Sequence, residues 1–534
     1  MERRSSRALT GFQQLAGLVQ PPQFRTAHMS AATMTDDGPI MPDALIGALY
    51  VARSRDCGLT PQQSGARRFT NEVKALQQER DVNLPGLRLA MRSSQLLARG
   101  LVRPTALHLH GNASLGDAGA TMLLGLLEHG TCRSLDFGAC SLGPSFAPAL
   151  ARYMLRAPMS GRALEHVELG GPSATRLQKP NQIRGAAALA AVLQQRSPKL
   201  RSLGLSHNAI GSTAEAVSCV HALAALATHA PALACLNVAA NGFGRSMAAL
   251  LHLVPIYPAL TELDVSGNEL GDWGAEALAA ALLAASAGGD DVVNHLRSLA
   301  GAPQTTASGV LHDPAARAAL RRRKCALRSL AIADNRIHVA GARALSLAIA
   351  SCASLRQLAV NDNPIGDDGA ASIGVALVPG DGMALDGVGE RVNAEAAAGT
   401  SPRPSHSAIE SLNVSGCQIG ENGARALGGV LATGRLVTLR AARNMFGEAG
   451  AEVRSFESPS RARWHPQLRP LNRPCPTPLS RHDHPHPRPR PRPLPRPLPR
   501  PRPHPRMCDP SFRHSPVPFS PRRRSCPSTF PAVD

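Results

Sequence analysis

Aromatic side chains are scarce: 3% of the 534 residues are Phe, Trp or Tyr, and only two are Trp. With 43% apolar residues in total, any core of this chain has to be aliphatic. Lysine is almost as rare. Four of the 58 basic residues, Lys74, Lys179, Lys199 and Lys324, are lysine, and none follows a glycine, so the Gly-Lys of a Walker phosphate loop is missing. Neither a Gly-x-Ser-x-Gly elbow nor a His-Glu-x-x-His helix is present, so these two hydrolase templates do not fit. The 11 cysteines include no Cys-x-x-Cys, and the closest two, Cys132 and Cys140, are eight apart. That spacing indicates neither a disulfide framework nor a zinc site and favours a reducing compartment. Long apolar runs are absent as well. Ala275–Ala285 is interrupted by Glu276 and falls short of the roughly 18–20 residues that span a bilayer. The expectation is a non-enzymatic chain with no cofactor, no metal, no small-molecule substrate and no membrane insertion.

What is present begins with charge. The net charge is +20, and residues 455–534 alone hold 16 Arg against four acids and 23 of the 45 prolines. From Pro485 to Pro505 every second residue is Pro and most of the others are Arg. Such a segment cannot bury a core and is expected to be disordered, extended and polyproline-like. Its two-residue spacing puts Pro and Arg on every face, unlike an SH3 ligand, and fits a polyvalent contact to an anionic polymer. The N-terminal stretch, with Leu9, Phe12, Leu15 and Leu18 among Arg and Ser, reads as a disordered leader. An organelle transit peptide is the alternative, and Glu2 opposes it.

Self-similarity decides the fold. One phrase, Leu200-x-x-Leu203-x-Leu205-x-x-Asn208-x-Ile210, returns at Leu233 with Asn241, Leu260 with Asn268, Leu327 with Asn335 and Leu355 with Asn363. Weaker copies stand at Leu107 with Asn112, Leu135 with Cys140, Val167, Leu412 with Cys417 and Leu439 with Asn444, giving ten units. Steps of 27 or 28 residues separate the regular ones. A period-2 stretch followed by a helical one in each unit predicts strand then helix, stacked into an inner parallel sheet with helices outside. The amides of Asn112, Asn208, Asn241, Asn268, Asn335, Asn363 and Asn444 are expected to satisfy backbone groups at the turn off each strand, with Cys140 and Cys417 filling the same place. The acids of Gly-Asp/Glu-x-Gly, namely Asp117, Asp272, Asp367, Glu421 and Glu448, are expected to cap helices rather than bind calcium.

The pattern resembles the leucine-rich repeats of the ribonuclease-inhibitor type, found in ribonuclease inhibitor, Ran GTPase-activating protein and the sensor arrays of NOD-like receptors. The resemblance covers about Pro104 to Val453 and implies an α/β solenoid, or horseshoe, that binds other proteins on its sheet or loop rim. The expected organisation is a leader over 1–40, a helical region and N-terminal cap over 41–103, and the solenoid over 104–454. Insertions are expected near 172–181, 284–325 and 378–407, and a Pro/Arg-rich tail over 455–534. Within 284–325, Leu296-Arg-Ser-Leu299-Ala repeats Leu327-Arg-Ser-Leu330-Ala and suggests a degenerate unit. The function expected is a protein-binding scaffold; the alternatives are a GTPase activator resembling the Ran-specific one and anionic-polymer binding through the tail. Partner contacts are assigned to Trp273, Glu262, Asp264, Asp334, Asp362, Arg440 and Arg443. Trp273 earns its place because sister units put small or polar residues at its position, which suits an exposed rim. The cytoplasm is the expected location, with the nucleus or a cytoskeletal or ciliary site as alternatives.

Overall fold

The computed structural model describes residues 41–77, 80–101, 103–129, 131–156, 164–170, 181–183, 198–212, 216–252, 254, 257, 259–287, 325–378, 407–433 and 435–447. The chain divides into two compact units, Met1–Pro476 and Thr477–Asp534, and every described residue belongs to the first. The leader, most of each expected insertion and the Pro/Arg tail lie outside the described residues.

Eleven three-residue strands form one parallel sheet in strict chain order. They are β1 (Asp81–Asn83), β2 (Ala106–His108), β3 (Ser134–Asp136), β4 (His166–Glu168), β5 (Ser202–Gly204), β6 (Cys235–Asn237), β7 (Glu262–Asp264), β8 (Ser329–Ala331), β9 (Gln357–Ala359), β10 (Ser411–Asn413) and β11 (Thr438–Arg440). Their middle residues stay in register from Val82 through Leu107, Leu263 and Leu330 to Leu439. All of them are buried. Adjacent strand residues point to opposite faces, so each strand offers one aliphatic side chain to the core and two to the other face.

The helices follow the same logic. α1 (Asp43–Asp56), α2 (Gln63–Leu76) and α3 (Met91–Gly100) precede α4 (Gly116–Leu123), α5 (Phe146–Arg156), α6 (Ala216–His229) and the short α7 (Ala248–Leu251). Then come α8 (Gly271–Ala287), α9 (Val339–Ser351), α10 (Gly366–Leu377) and α11 (Glu421–Ala432). In α8 eight of 17 residues are Ala, the residue with the highest helix propensity. Small side chains also let α8 to α11 stack side by side. Buried Leu278, Leu345, Ile373 and Leu427 fill the space between this layer and the sheet.

One sequence reading changes. Part of the region 41–103, expected to be helical with an N-terminal cap, is a repeat: β1 pairs with β2, Asp81 opposite Ala106, and α3 completes it, so the sheet has eleven strands where ten units were expected. The repeat is hard to see because Leu87 stands where the asparagine belongs. The helices ahead of β1 are α1 and α2, within the helical region expected over 41–103. There the Tyr50 and Phe69 rings meet at 5.6 Å, Arg53 lies over Phe69, and Arg53 Nε donates to Leu87 O at 2.5 Å.

Candidate binding face

A column of asparagines runs beneath the turns that follow the strands. Asn268 shows the pattern: its Nδ2 donates to Val238 O and Val265 O, each at 3.0 Å, and its Oδ1 accepts from Asn241 N at 3.1 Å and Phe243 N at 3.5 Å. Asn335 Oδ1 accepts from Asn268 N at 2.8 Å, and Asn363 Oδ1 from Asn335 N at 2.9 Å. Each side chain therefore ties its own turn to the preceding one. The turns need anchoring because non-glycine residues beside the column hold left-handed φ values, among them His207 at 58°, Ala240 at 53° and Asp334 at 49°. Such conformations cost an L-residue roughly 1–2 kcal/mol.

Asn181 is a member that the sequence reading missed. Its Oδ1 accepts from Cys140 N and Leu142 N, and its Nδ2 donates to Phe137 O and Leu169 O. It is the asparagine of the β4 unit, separated from its strand by residues 171–180. The phrase Asn181-Gln-Ile183 repeats Asn208-Ala-Ile210, and that match was the available signal. Where the column has cysteine, the sulfur replaces only the donor: Cys140 Sγ donates to Leu109 O at 3.2 Å and Cys417 Sγ to Val360 O at 3.3 Å. Burial pushes these thiols up to about 12 and about 11, which keeps them protonated for that task.

The Gly-Asp-x-Gly acids cap helices, but not their own. Asp272, in the first turn of α8, accepts from His338 N at 2.7 Å and Gly341 N at 3.0 Å, at the start of α9. Asp367 does the same for Gly420 N and Gly423 N ahead of α11, and Asp117 for Gly143 N ahead of α5. Even Asp56 of α1 accepts from Ala90 N and Ser93 N at the start of α3. Free N-terminal amides are thus satisfied by the previous unit, which couples neighbouring repeats.

The open face of the sheet carries the remaining strand side chains. At the third strand position, Asp136, Glu168, Asn237, Asp264 and Asn413 each accept the backbone N–H two residues later, at 2.8–3.2 Å. Of the residues assigned to partner binding, Asp264 therefore also supports its own strand end; burial raises its carboxyl pKa above the ordinary range. Glu262 is exposed on β7 and Arg440 half-buried on β11. Asp334 and Asp362 do not stand in the strand rows. They occupy left-handed turn positions, at 49° and 59°, because three residues past the end of each strand the chain has already entered the turn. Arg443 lies at a third such turn and pairs with Asp362 at 2.9 Å, so this charge pair is internally compensated. Trp273 is 48% exposed in the first turn of α8, on the helix layer rather than the strand face.

Charge concentrates between β2 and β4. His110 Nδ1 lies 3.5 Å from Asp136 Oδ1, and its hydrogen bond to Asp136 raises the imidazole above its usual range. Burial, with Asp136 nearby, pushes Glu168 up to about 7. Gly204 gives this carboxylate its room, since a Cβ there would overlap Glu168 Oε2. Among the described residues no group of three or more His, Cys, Asp or Glu side chains could hold a metal, and no helix is long and apolar enough to cross a membrane.

A family model for the leucine-rich repeat matches residues 258–279, 351–374 and 407–428, segments that contain β7 with the start of α8, β9 with the start of α10, and β10 with the start of α11. A search of curated proteins finds no match. Similar solved structures include the Rad7 and Elc1 complex in yeast, at 12% identity and TM-score 0.39 over 86% of this chain and 96% of that one. An internalin from Listeria monocytogenes is 16% identical, with TM-score 0.35 over 83% of this chain and all of that one. The TLR13–ssRNA13 complex gives 12% identity and TM-score 0.25, over 67% of this chain and 31% of that one. The repeated strand phrase, the asparagine column and the in-register parallel sheet form a solenoid of leucine-rich repeats, and the family model matches three of those repeats.

Proposed function

We propose that the chain is a non-enzymatic scaffold of the ribonuclease-inhibitor-like type that binds a protein partner on the open face of its sheet. The observation that carries this reading is the face itself: eleven parallel strands in one register present two rows of side chains each, far more ordered surface than a small ligand needs. Unit steps of 27 or 28 residues with a full helix in the regular units support the subtype. The acids Asp136, Glu168, Glu262 and Asp264 make the middle of the face suited to a basic stretch of the partner, and electrostatic complementarity would govern its rate of association more than its affinity. Trp273, Arg440 and Arg443 are proposed as contacts at the rim and at the far end. The test is capture by the full chain compared with Glu262→Lys. The proposal expects at least a tenfold loss for a partner held by wild type, relieved by charge reversal on the partner; equal capture by both forms counts against it.

A further inference from the structure

Among the third residues of the eleven strands, only Asp136 on β3 and Glu168 on β4 are acids on adjacent strands, paired directly in register. Neighbouring strands lie about 4.8 Å apart, and like charges placed opposite each other destabilise the pair. One of the two carboxylates therefore needs a proton or a positive group beside it. The flanks are built to admit one. From β2, His108 stands opposite Asp136, and two residues on, His110 Nδ1 lies 3.5 Å from Asp136 Oδ1. Gly138 leaves the imidazole its room, since a Cβ there would stand 2.5 Å from His110 Nδ1. On the other side Glu168 opposes Gly204, where a Cβ would overlap Glu168 Oε2. The side chains of His110 and Asp136 are 32% and 21% exposed and Glu168 is half-buried, so both protons and a partner reach the group.

Resting on the reading of this face as the surface for a basic stretch of a partner, we propose that His110, Asp136 and Glu168 form a proton gate, which holds such a partner above neutral pH and releases it below. The hydrogen bond to Asp136 raises the His110 imidazole above its usual range, while burial, and then the Asp136 charge, push Glu168 up to about 7. Both groups therefore change charge in one window around neutrality. Below it His110 is positive, Asp136 negative and Glu168 neutral, and the three carry no net charge. Above it His110 is neutral and both carboxylates are negative. A guanidinium or ammonium group of the partner then separates the two carboxylates as the proton did. Acidification removes that attraction and slows association. The other groups facing the three do not reverse the sign. His166 on β4 and His207 in the turn after β5 are lowered by burial, and their protonation at still lower pH adds charge that also repels a basic partner. His108 Nε2 is within 2.8 Å of Ser134 Oγ. Glu165 is held between Arg133 at 4.0 Å and Arg201 at 3.4 Å, and β5 itself carries no charge.

The experiment measures binding of a fluorescein-labelled oligoarginine to the full chain by anisotropy at low ionic strength, at about pH 6 and about pH 8. Wild type, Glu168→Gln and Glu262→Lys are compared. Glu168→Gln fixes the uncharged form that the wild type has on the acid side, so it folds. Other histidines titrate alike in both chains, and the difference between their pH ratios belongs to Glu168. Wild type should bind at least about fivefold more tightly at the higher pH than the variant's own ratio accounts for, the factor that one ion pair supplies. In a chain labelled with carboxyl-13C glutamate, the resonance lost in Glu168→Gln should titrate near neutrality. Equal pH ratios in wild type and Glu168→Gln, with binding still weakened by Glu262→Lys, overturn the gate and leave the face as the binding surface. Binding indifferent to Glu262→Lys at both pH values removes that surface and the gate with it. A Glu168 resonance that titrates in the ordinary carboxylate range also overturns the gate.

Discussion

The middle of the asparagine column and its two flanks solve one problem with different chemistry. From Asn181 to Asn363 six consecutive units use asparagine, whose amide supplies a donor and an acceptor to neighbouring turns. The flanking units use Cys140 and Cys417, whose thiols donate to the carbonyls of the units before them but have no oxygen to return. The flanks therefore hold each turn to its neighbour with one side-chain interaction fewer. Coupling between repeats should accordingly be weaker where Cys140 and Cys417 stand than in the middle, under the part of the face where Glu262 and Asp264 stand, while Asn112 and Asn444 beyond them restore the full pattern.

The comparison breaks first at Asn268. Replacing it with leucine leaves the buried amides of Asn241 and Phe243 without their acceptor, while Val238 O and Val265 O keep the Asn241 and Asn335 side chains; at roughly 1–3 kcal/mol per unsatisfied group the expected destabilisation is about 2–4 kcal/mol. Chemical denaturation measures it, and a change below about 1 kcal/mol would show that the column is not holding the turns. The interrupted β4 unit offers a test through pH. Glu168 is raised from 4.5 to about 7, so the folded state binds its proton more tightly than the unfolded chain does. Its contribution is therefore fully present below about pH 4.5 and lost as pH rises through about 7. Glu168→Gln should remove that loss, about 3 kcal/mol between pH 4.5 and 8, and parallel stability curves for the two proteins would argue against it. The raised His110 loses stability in the same direction at higher pH and remains in both proteins.

A third effect is smaller. Asp272→Ala should cost about 1 kcal/mol by uncapping α9, with amide exchange accelerating in the first turn of α9 rather than of α8. Faster exchange in α8 alone would contradict capping across units. The smallest expected change is a gain. Cys417→Asn restores an acceptor toward the Asn363 unit and should stabilise by less than about 1 kcal/mol; a loss would mean that the thiol's shape matters more than the missing acceptor.

Most of the fold was legible because a buried aliphatic residue at every strand centre and an asparagine three positions after the second core residue are both periodic in sequence. What escaped shows where periodicity stops helping. The β1 unit was hidden by Leu87 in the asparagine position, and Asn181 by the residues inserted ahead of it, although both obey the same geometry in space. The direction of capping by Asp117, Asp272 and Asp367 could not be read from spacing, since an acid in a first turn is equally near its own helix and the next one. The face was legible in part. Strand alternation placed Glu262 and Asp264 correctly on it, but it does not apply beyond the strand, where Asp334 and Asp362 adopt left-handed turns. The Asp362–Arg443 pair joins residues 81 positions apart, a contact that no local pattern announces.

The central claim, that the open strand face is where a protein partner binds, is tested most directly by site-specific photo-crosslinking of the full chain in extracts. A photoreactive residue at Glu262 on β7 is compared with one at Leu347, which is 59% exposed on α9 in the helix layer. The account predicts a discrete adduct at position 262, lost when Asp264 is also changed to Lys, and none at 347. The same adduct at 347 with nothing at 262 would contradict it and move the binding surface to the helices.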